Sequence, residues 1–272
     1  MAQSRSTQRE FSIPLLASGL LFIATWVALT FFVIHPLWWF TEDFASYPFL
    51  LGIGIVLLLL GSGIFTRRIG RLPIGVAAVA LASTALWQSV LVPLWIHGRF
   101  IPQPFIYLLL PAVAAIPIAL TFFGGAKMIA NRDETEQKLP DHRFVAVIAA
   151  VSQILGGLLV AGTWWWLMSR WVGIYYPHFD VWYFDIWHTG PFLGATLLLV
   201  SAGTWALMSR RSVVCRASGL AGIAVALAEL PSVVPPVFIP SWSRLIVVGF
   251  ALALAASIAL FVSGAPRGAD SP

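Results

Sequence analysis

Long apolar stretches alternate with short polar segments along the entire chain. A helix needs about 20 predominantly apolar residues to cross the hydrocarbon core of a bilayer, and eight stretches approach or exceed that length. These predicted spans lie at 12–34, 49–66, 73–96, 104–125, 144–168, 190–208, 217–235 and 244–263. The pattern therefore predicts an all-α integral membrane protein with eight transmembrane helices.

The composition agrees with that fold class. Of the 272 residues, 59% are hydrophobic and only 10% are charged, whereas soluble domains carry about 25% charged residues. The first ten residues are polar and precede the first span without a clear small-residue cleavage site, so we expect that span to be retained. The single cysteine, Cys215, excludes an intramolecular disulfide and a cysteine-based metal cluster.

The basic residues fall almost entirely on one side of the predicted spans. Of 16 Lys and Arg residues, only Arg99, Arg170 and Arg244 lie on the other side. Positively charged loops stay in the cytoplasm during insertion, so both termini are predicted to be cytoplasmic, in a cytoplasmic (inner) membrane. The net charge of +5 is thus a topology signal. Membrane lipids are the expected partners, and nucleic acid is not.

The chain also resembles itself in order and spacing. The second and sixth predicted spans open and close on the same residues, and the segments that follow them share a further motif. The matched segments are PFL at 48–50 and 191–193, RR at 67–68 and 210–211, and AVALA at 78–82 and 224–228. The alternative is a chance resemblance between apolar helices.

We interpret the matches as a duplication of a four-helix unit. The first repeat is 1–130, a polar cytoplasmic linker is 131–143, and the second repeat is 144–272. Because each unit holds an even number of spans, the two have the same orientation in the membrane and are related by an axis along its normal.

Three positions in the second repeat indicate a site there: one is acidic in both repeats, and two carry an acid or an imidazole only in the second. Asp185 corresponds to an acid in the first repeat, Glu42. His188 and Glu229 correspond to residues without acid or imidazole groups, Ala45 and Ser83. The topology places Asp185, His188 and Glu229 at a similar depth near the outer side. Glu229 is the only acidic residue within a predicted span, and such residues are energetically costly and often functional.

Two kinds of chemistry suit these three side chains. A histidine and two carboxylates are ligands for a divalent transition metal, and they also form a set for general acid–base catalysis. A structural alternative stays open: a helix cap for Asp185, an interfacial aromatic for His188, and backbone carbonyls freed near Pro231 as partners of Glu229. Haem held by two intramembrane histidines is not expected, because all five histidines lie outside the predicted spans.

Tryptophans are concentrated near the outer interface. Trp171, Trp182, Trp187 and Trp242 are the candidates for a surface that meets a partner subunit, a lipid or an apolar ligand, although an asymmetric aromatic belt is an equal alternative. The aromatic segment 171–188 is predicted to lie on the outer membrane surface.

Three functions follow from these features. The first is a metal or acid–base site at the extracytoplasmic face of the second repeat, formed by Glu229, Asp185 and His188 and acting on a small or lipid-like substrate. The second is a non-catalytic subunit of a membrane complex that binds partners through the tryptophan surface. The third is a proton-coupled transporter of a small solute, with Glu229 as the coupling group.

Overall fold

The computed structural model describes residues 11–30, 48–91, 106–131, 143–175, 181–209, 211–233 and 243–264. Within these ranges it leaves out the side chains of 48, 67–68, 106–109, 143, 164, 167–193, 231–233 and 243–244. The described residues are helical apart from short turns and include no strand.

Eight helices make up the described part of the chain, and each overlaps one predicted span. They are α1 (Ile13–Ala28), α2 (Pro48–Gly61), α3 (Arg71–Leu86), α4 (Ile106–Ala130), α5 (Arg143–Tyr175), α6 (Val181–Met208), α7 (Ser212–Val233) and α8 (Ser243–Ser263). A single helical turn (Thr66–Ile69) precedes α3, and a π-helical turn (Trp87–Leu91) extends it.

Five of these helices contain stretches long and apolar enough to cross a membrane: Arg71–Leu91, Leu110–Ala130, Phe144–Thr163, Ser212–Leu230 and Leu245–Ser263. Three further apolar stretches are shorter: Ile13–Ala28, Phe49–Gly61 and Gly194–Met208. The predicted class, an all-helical membrane protein, is thereby confirmed. The crossing of the membrane by all eight helices stays a prediction.

Helices α5 and α6 extend beyond the spans predicted for them. Helix α5 has 33 residues and continues to Tyr175, and α6 has 28 residues and begins at Val181. Pro191 therefore lies inside α6 and not in its first turn, and Asp185 and His188 belong to its early turns. The segment 171–188 is helical at both ends, while 176–180 lies outside the described residues. Its placement on the membrane surface stays a prediction.

The helices pack against neighbours within each half, and the two halves also contact each other. Helix α1 contacts α2 and α4, and α3 contacts α4; in the second half, α5 contacts α6 and α8, and α7 contacts α6 and α8. The halves meet where α7 packs against α2 and α3. One apolar core accordingly combines α1–α4 residues such as Phe22 with Ala224 and Ala228 of α7.

Small residues allow several of these helices to approach closely. A Cβ atom added to Gly75 of α3 would lie 2.8 Å from the carbonyl oxygen of Gly125 in α4. In the second half, a Cβ on Gly156 of α5 would lie 2.7 Å from the backbone nitrogen of Ala253 in α8. Such contacts are typical of membrane helices, which associate through backbone proximity and van der Waals packing.

Candidate functional site

Glu229 lies near the end of α7 and is completely buried, with 0% of its surface exposed. Its Oε1 atom accepts a hydrogen bond of 2.5 Å from Nε2 of Gln88. Gln88 is itself buried and belongs to the π-helical turn that extends α3. The pair therefore joins a helix of the second half to a helix of the first.

Contacts on both sides of the pair explain its enclosure. Ala228, next to Glu229, presents its carbonyl to Gly52 of α2, where an added Cβ would overlap it. Trp87, next to Gln88, packs on Gly194 of α6, where an added Cβ would lie 2.7 Å from the indole ring. Residues next to Glu229 and Gln88 thus contact α2 and α6, and π-helical turns like that of Trp87–Leu91 are frequent at functional sites.

The second carboxyl oxygen of Glu229 is in a different situation. Among the described residues, Oε2 is buried and has no hydrogen-bond partner, and the same holds for the hydroxyl of Ser89, which follows Gln88 in the π-helical turn. The structural alternative, in which the acid bonds freed backbone carbonyls, is therefore not what the described contacts indicate. A buried polar atom without a partner is costly and calls for an explanation.

No described cation lies near the carboxyl group. The described basic side chains are Arg71, Lys127, Arg211 and Arg216, which lie at or next to the helix ends far from Glu229. Arg216, near the start of α7, is about 20 Å from Glu229 along the helix axis at about 1.5 Å per residue. Burying an ionised carboxylate without a cation is far more costly than burying the neutral acid. Among the described residues, no cation offsets the charge of an ionised Glu229, so these surroundings favour the protonated carboxyl group.

The matched position in the first half behaves differently. Ser83 is only partly buried, and its hydroxyl donates to the carbonyl of Val79 in its own helix, at 2.9 Å. Its hydrogen bond thus stays within α3, whereas Glu229 reaches across to another helix.

The other predicted site residues lie outside the described side chains. Asp185 and His188 occupy the early turns of α6, but their side chains are not described, so the predicted approach of His188 to Glu229 stays a prediction. The described residues contain no group of three or more His, Cys, Asp or Glu that could hold a metal. The side chains of Trp171, Trp182 and Trp187, and the whole of Trp242, also lie outside the described part.

Sequence reasoning missed Gln88. A signal was present, because Gln88 and Gln153 are the only Asn or Gln residues within the predicted spans, and polar side chains there are rare and usually paired. Gln153 of α5 is also fully buried. Its Nε2 atom donates to the carbonyl of Leu199 in α6 at 3.3 Å, which ties two helices of the second half together.

No protein-family model matches this chain, and neither the curated proteins nor the solved structures include a similar one.

Proposed function

We propose that this membrane protein carries an acid–base site on its extracytoplasmic side, with Glu229 as the group that gives and takes a proton. The observation that carries the proposal is a fully buried carboxyl group with one oxygen bonded to Gln88 and the other without a described partner. Intramembrane acids are functional candidates by default because their burial is costly.

Gln88 acts as a positioning residue in this proposal. Its Nε2–H donates to Oε1, which fixes the plane of the carboxyl group and leaves Oε2 to hold the proton. The hydroxyl of Ser89, the next residue in the chain, is also buried without a described hydrogen-bond partner, and we propose it as a candidate to relay that proton. Asp185 and His188, entering α6 from the outer side, are proposed as the route to the exterior, where a small or lipid-like substrate would exchange the proton.

A metal is the other form that this site could take. Asp185 and His188 offer donor groups suited to a divalent transition metal, with a carboxyl oxygen of Glu229 as a third. Metal analysis of purified protein, compared with Asp185→Ala and His188→Ala, tests this form. Bound metal that depends on both residues would favour a metal site. Folded wild-type protein that binds no metal would favour the acid–base site.

The two-repeat architecture remains part of the proposal, and contacts between helices support it. The contacts α1–α2, α1–α4, α2–α3 and α3–α4 each have a counterpart in α5–α6, α5–α8, α6–α7 and α7–α8. Across the halves, α2–α7 has its counterpart in α3–α6, and α3–α7 is its own counterpart. A two-fold axis passing between α3 and α7 would produce this pattern.

Further sequence matches support the same relation. Gly-Leu-Leu followed by Thr-Trp occurs at the same spacing in α1 (19–26) and α5 (157–164). Ile-Ala-Leu followed by Gly occurs at the same spacing near the ends of α4 (118–124) and α8 (258–264). In an experimental structure, superposing 12–125 on 144–263 should pair Pro48 with Pro191 and Arg68 with Arg211. An inverted best superposition would contradict the duplication.

Proton-coupled transport is a second candidate, because the Glu229–Gln88 pair joins helices of both halves. In transporters built from repeats, coupling sites lie at the interface between the repeats. Proton flux in liposomes that is abolished by Glu229→Gln would favour transport. No flux in wild-type protein would leave a site for acid–base chemistry alone.

Infrared difference spectroscopy tests the proposed site without knowledge of a substrate. Spectra of the protein in bilayers, recorded between acidic and alkaline pH, detect the carbonyl band of a protonated carboxyl group. We expect a band that is lost in Glu229→Gln and retained in the control Gln153→Leu, which removes another buried amide. If Glu229→Gln folds and leaves every carboxyl band unchanged, Glu229 does not exchange a proton and the proposal is wrong.

A further inference from the structure

A cleft of about 680 Å³ lies at the basic end of the first half. It is bounded by the start of α1, the turn before α3, the start of α3 and the end of α4, with Ser12, Thr66, Arg71 and Lys127 among its lining residues. The charge pattern of the loops places this end at the cytoplasmic side. The cleft is therefore separate from the Glu229 site and faces the opposite leaflet.

The walls of the cleft suit an anion. Arg71 is held in place by a 3.0 Å hydrogen bond from Nη1 to the carbonyl oxygen of Asn131 at the end of α4. Lys127 lies in the last turn of the same helix. The hydroxyl of Thr66 is buried and has no hydrogen-bond partner among the described residues. None of the described lining residues is acidic.

The same cleft also has an apolar side. Phe11 and Ile13 line it at the start of α1 and are 55% and 75% exposed, and Met128 lines it from α4. A free inorganic anion would gain nothing from these groups. A phospholipid would use both sides, with its phosphate at the cations and its acyl chains continuing into the bilayer.

At the basic end of the second half, described residues of α7 and α8 are packed closely together. The guanidinium group of Arg216, near the start of α7, lies 5.6 Å from the ring centre of Phe261 in α8. A Cβ added to Gly264 would lie 2.6 Å from the Cγ atom of Arg216.

We infer that this cleft binds an anionic phospholipid of the cytoplasmic leaflet, with the phosphate between Arg71 and Lys127. Basic pockets between membrane helices on the cytoplasmic side bind anionic lipid headgroups, and each Lys or Arg near the surface strengthens the attraction. The inference does not depend on the function of Glu229.

Native mass spectrometry of delipidated, detergent-purified protein tests it, with titrations of phosphatidylglycerol, phosphatidylcholine and inorganic phosphate. We expect phosphatidylglycerol to bind roughly 30-fold more tightly than phosphatidylcholine if two cations contribute. Arg71→Gln combined with Lys127→Gln should remove that preference. The matched control Arg211→Gln, which removes an exposed charge at the same end of the molecule, should keep it.

Two further variants distinguish a specific loss of binding from misfolding of the double variant. Lys127→Gln alone should weaken the preference roughly fivefold while leaving the Arg71–Asn131 bond in place. Ser12→Trp should block the cleft without changing its charge and should also reduce binding. An equal loss in Arg211→Gln would mean general surface attraction and would overturn the inference. Binding of inorganic phosphate as tight as that of phosphatidylglycerol would overturn it as well.

Discussion

At the scale of single residues, side-chain hydroxyl groups form hydrogen bonds between α1 and α4. Pro117 lies inside α4, and its carbonyl oxygen accepts from the buried Ser18 of α1 at 2.6 Å. Thr121 donates to the same carbonyl at 2.8 Å and lies 2.6 Å from Ser18. These hydrogen bonds join α1 to α4 in the part of α4 that contains Pro117.

Removal of the Ser18 hydroxyl should weaken this contact. We expect Ser18→Ala to lower the free energy of unfolding by about 0.5–1.5 kcal/mol, towards the lower figure because hydrogen bonds between membrane helices average about 0.6 kcal/mol. Unfolding by sodium dodecyl sulfate in mixed micelles measures the change. The control Ser62→Ala, whose hydroxyl bonds Leu59 within its own exposed turn, should be close to neutral. Equal losses in both variants would contradict this account of Ser18.

Glu229 and Gln88 illustrate what could be predicted for individual residues. An acid within an apolar span stands out in sequence, so Glu229 was identifiable as a candidate site residue, whereas its complete burial was not predicted. Its partner was not predicted, because the hydrogen bond depends on the π-helical turn at Trp87–Leu91. That turn sets which face of α3 Gln88 presents, and apolar periodicity does not reveal it.

At the scale of helices, the backbones of α2 and α7 come into close contact. Gly52 of α2 lies against the carbonyl group of Ala228, the residue next to Glu229, and leaves no room for a Cβ. The contact holds the two halves together at the depth of the candidate site. It depends on a missing side chain, so a single methyl group is enough to perturb it.

A matched pair of glycine substitutions tests that contact. Gly52→Ala should destabilise the protein by about 1–3 kcal/mol or more, because the added methyl group meets a backbone carbonyl that cannot easily move. In Gly162→Ala, no atom of the described residues lies within 4 Å of the added Cβ. This substitution should therefore stabilise α5 by about 0.5–1 kcal/mol. Thermal unfolding in detergent measures both, and a neutral Gly52→Ala would contradict the proposed contact.

Helix ends were less predictable than helix existence. Eight apolar stretches in the sequence correspond to the eight described helices, yet α5 and α6 extend past their predicted spans. Hydropathy reports which residues prefer hydrocarbon, whereas a helix continues as long as its backbone hydrogen bonds are satisfied. The segment 171–188 as a whole is too polar to be predicted as a span. Its aromatic residues nevertheless do not prevent helix formation in the described parts.

The orientation of the chain is a prediction at the scale of the whole molecule. It rests on the one-sided distribution of Lys and Arg. In a background with Cys215, which is buried, replaced by alanine, cysteines introduced at position 7, within 131–138 and at 268 should resist an impermeant thiol reagent in intact cells. A cysteine at position 180 should react. Labelling of the 131–138 linker from outside would contradict the topology.

At the scale of the whole molecule, the buried hydrogen bond between Gln88 and Glu229 joins the two halves at the proposed site. A double-mutant cycle between these two residues tests that bond most directly. Gln88→Leu should cost about 1–3 kcal/mol because it leaves a buried carboxyl oxygen unpaired, while Gln88→Leu with Glu229→Leu should cost far less than the two single changes together. We predict a coupling free energy of about 1 kcal/mol or more, and near-additivity for the control cycle of Gln153→Leu with Glu229→Leu. Additive effects of Gln88→Leu and Glu229→Leu in folded protein would contradict the pairing on which the proposed site rests.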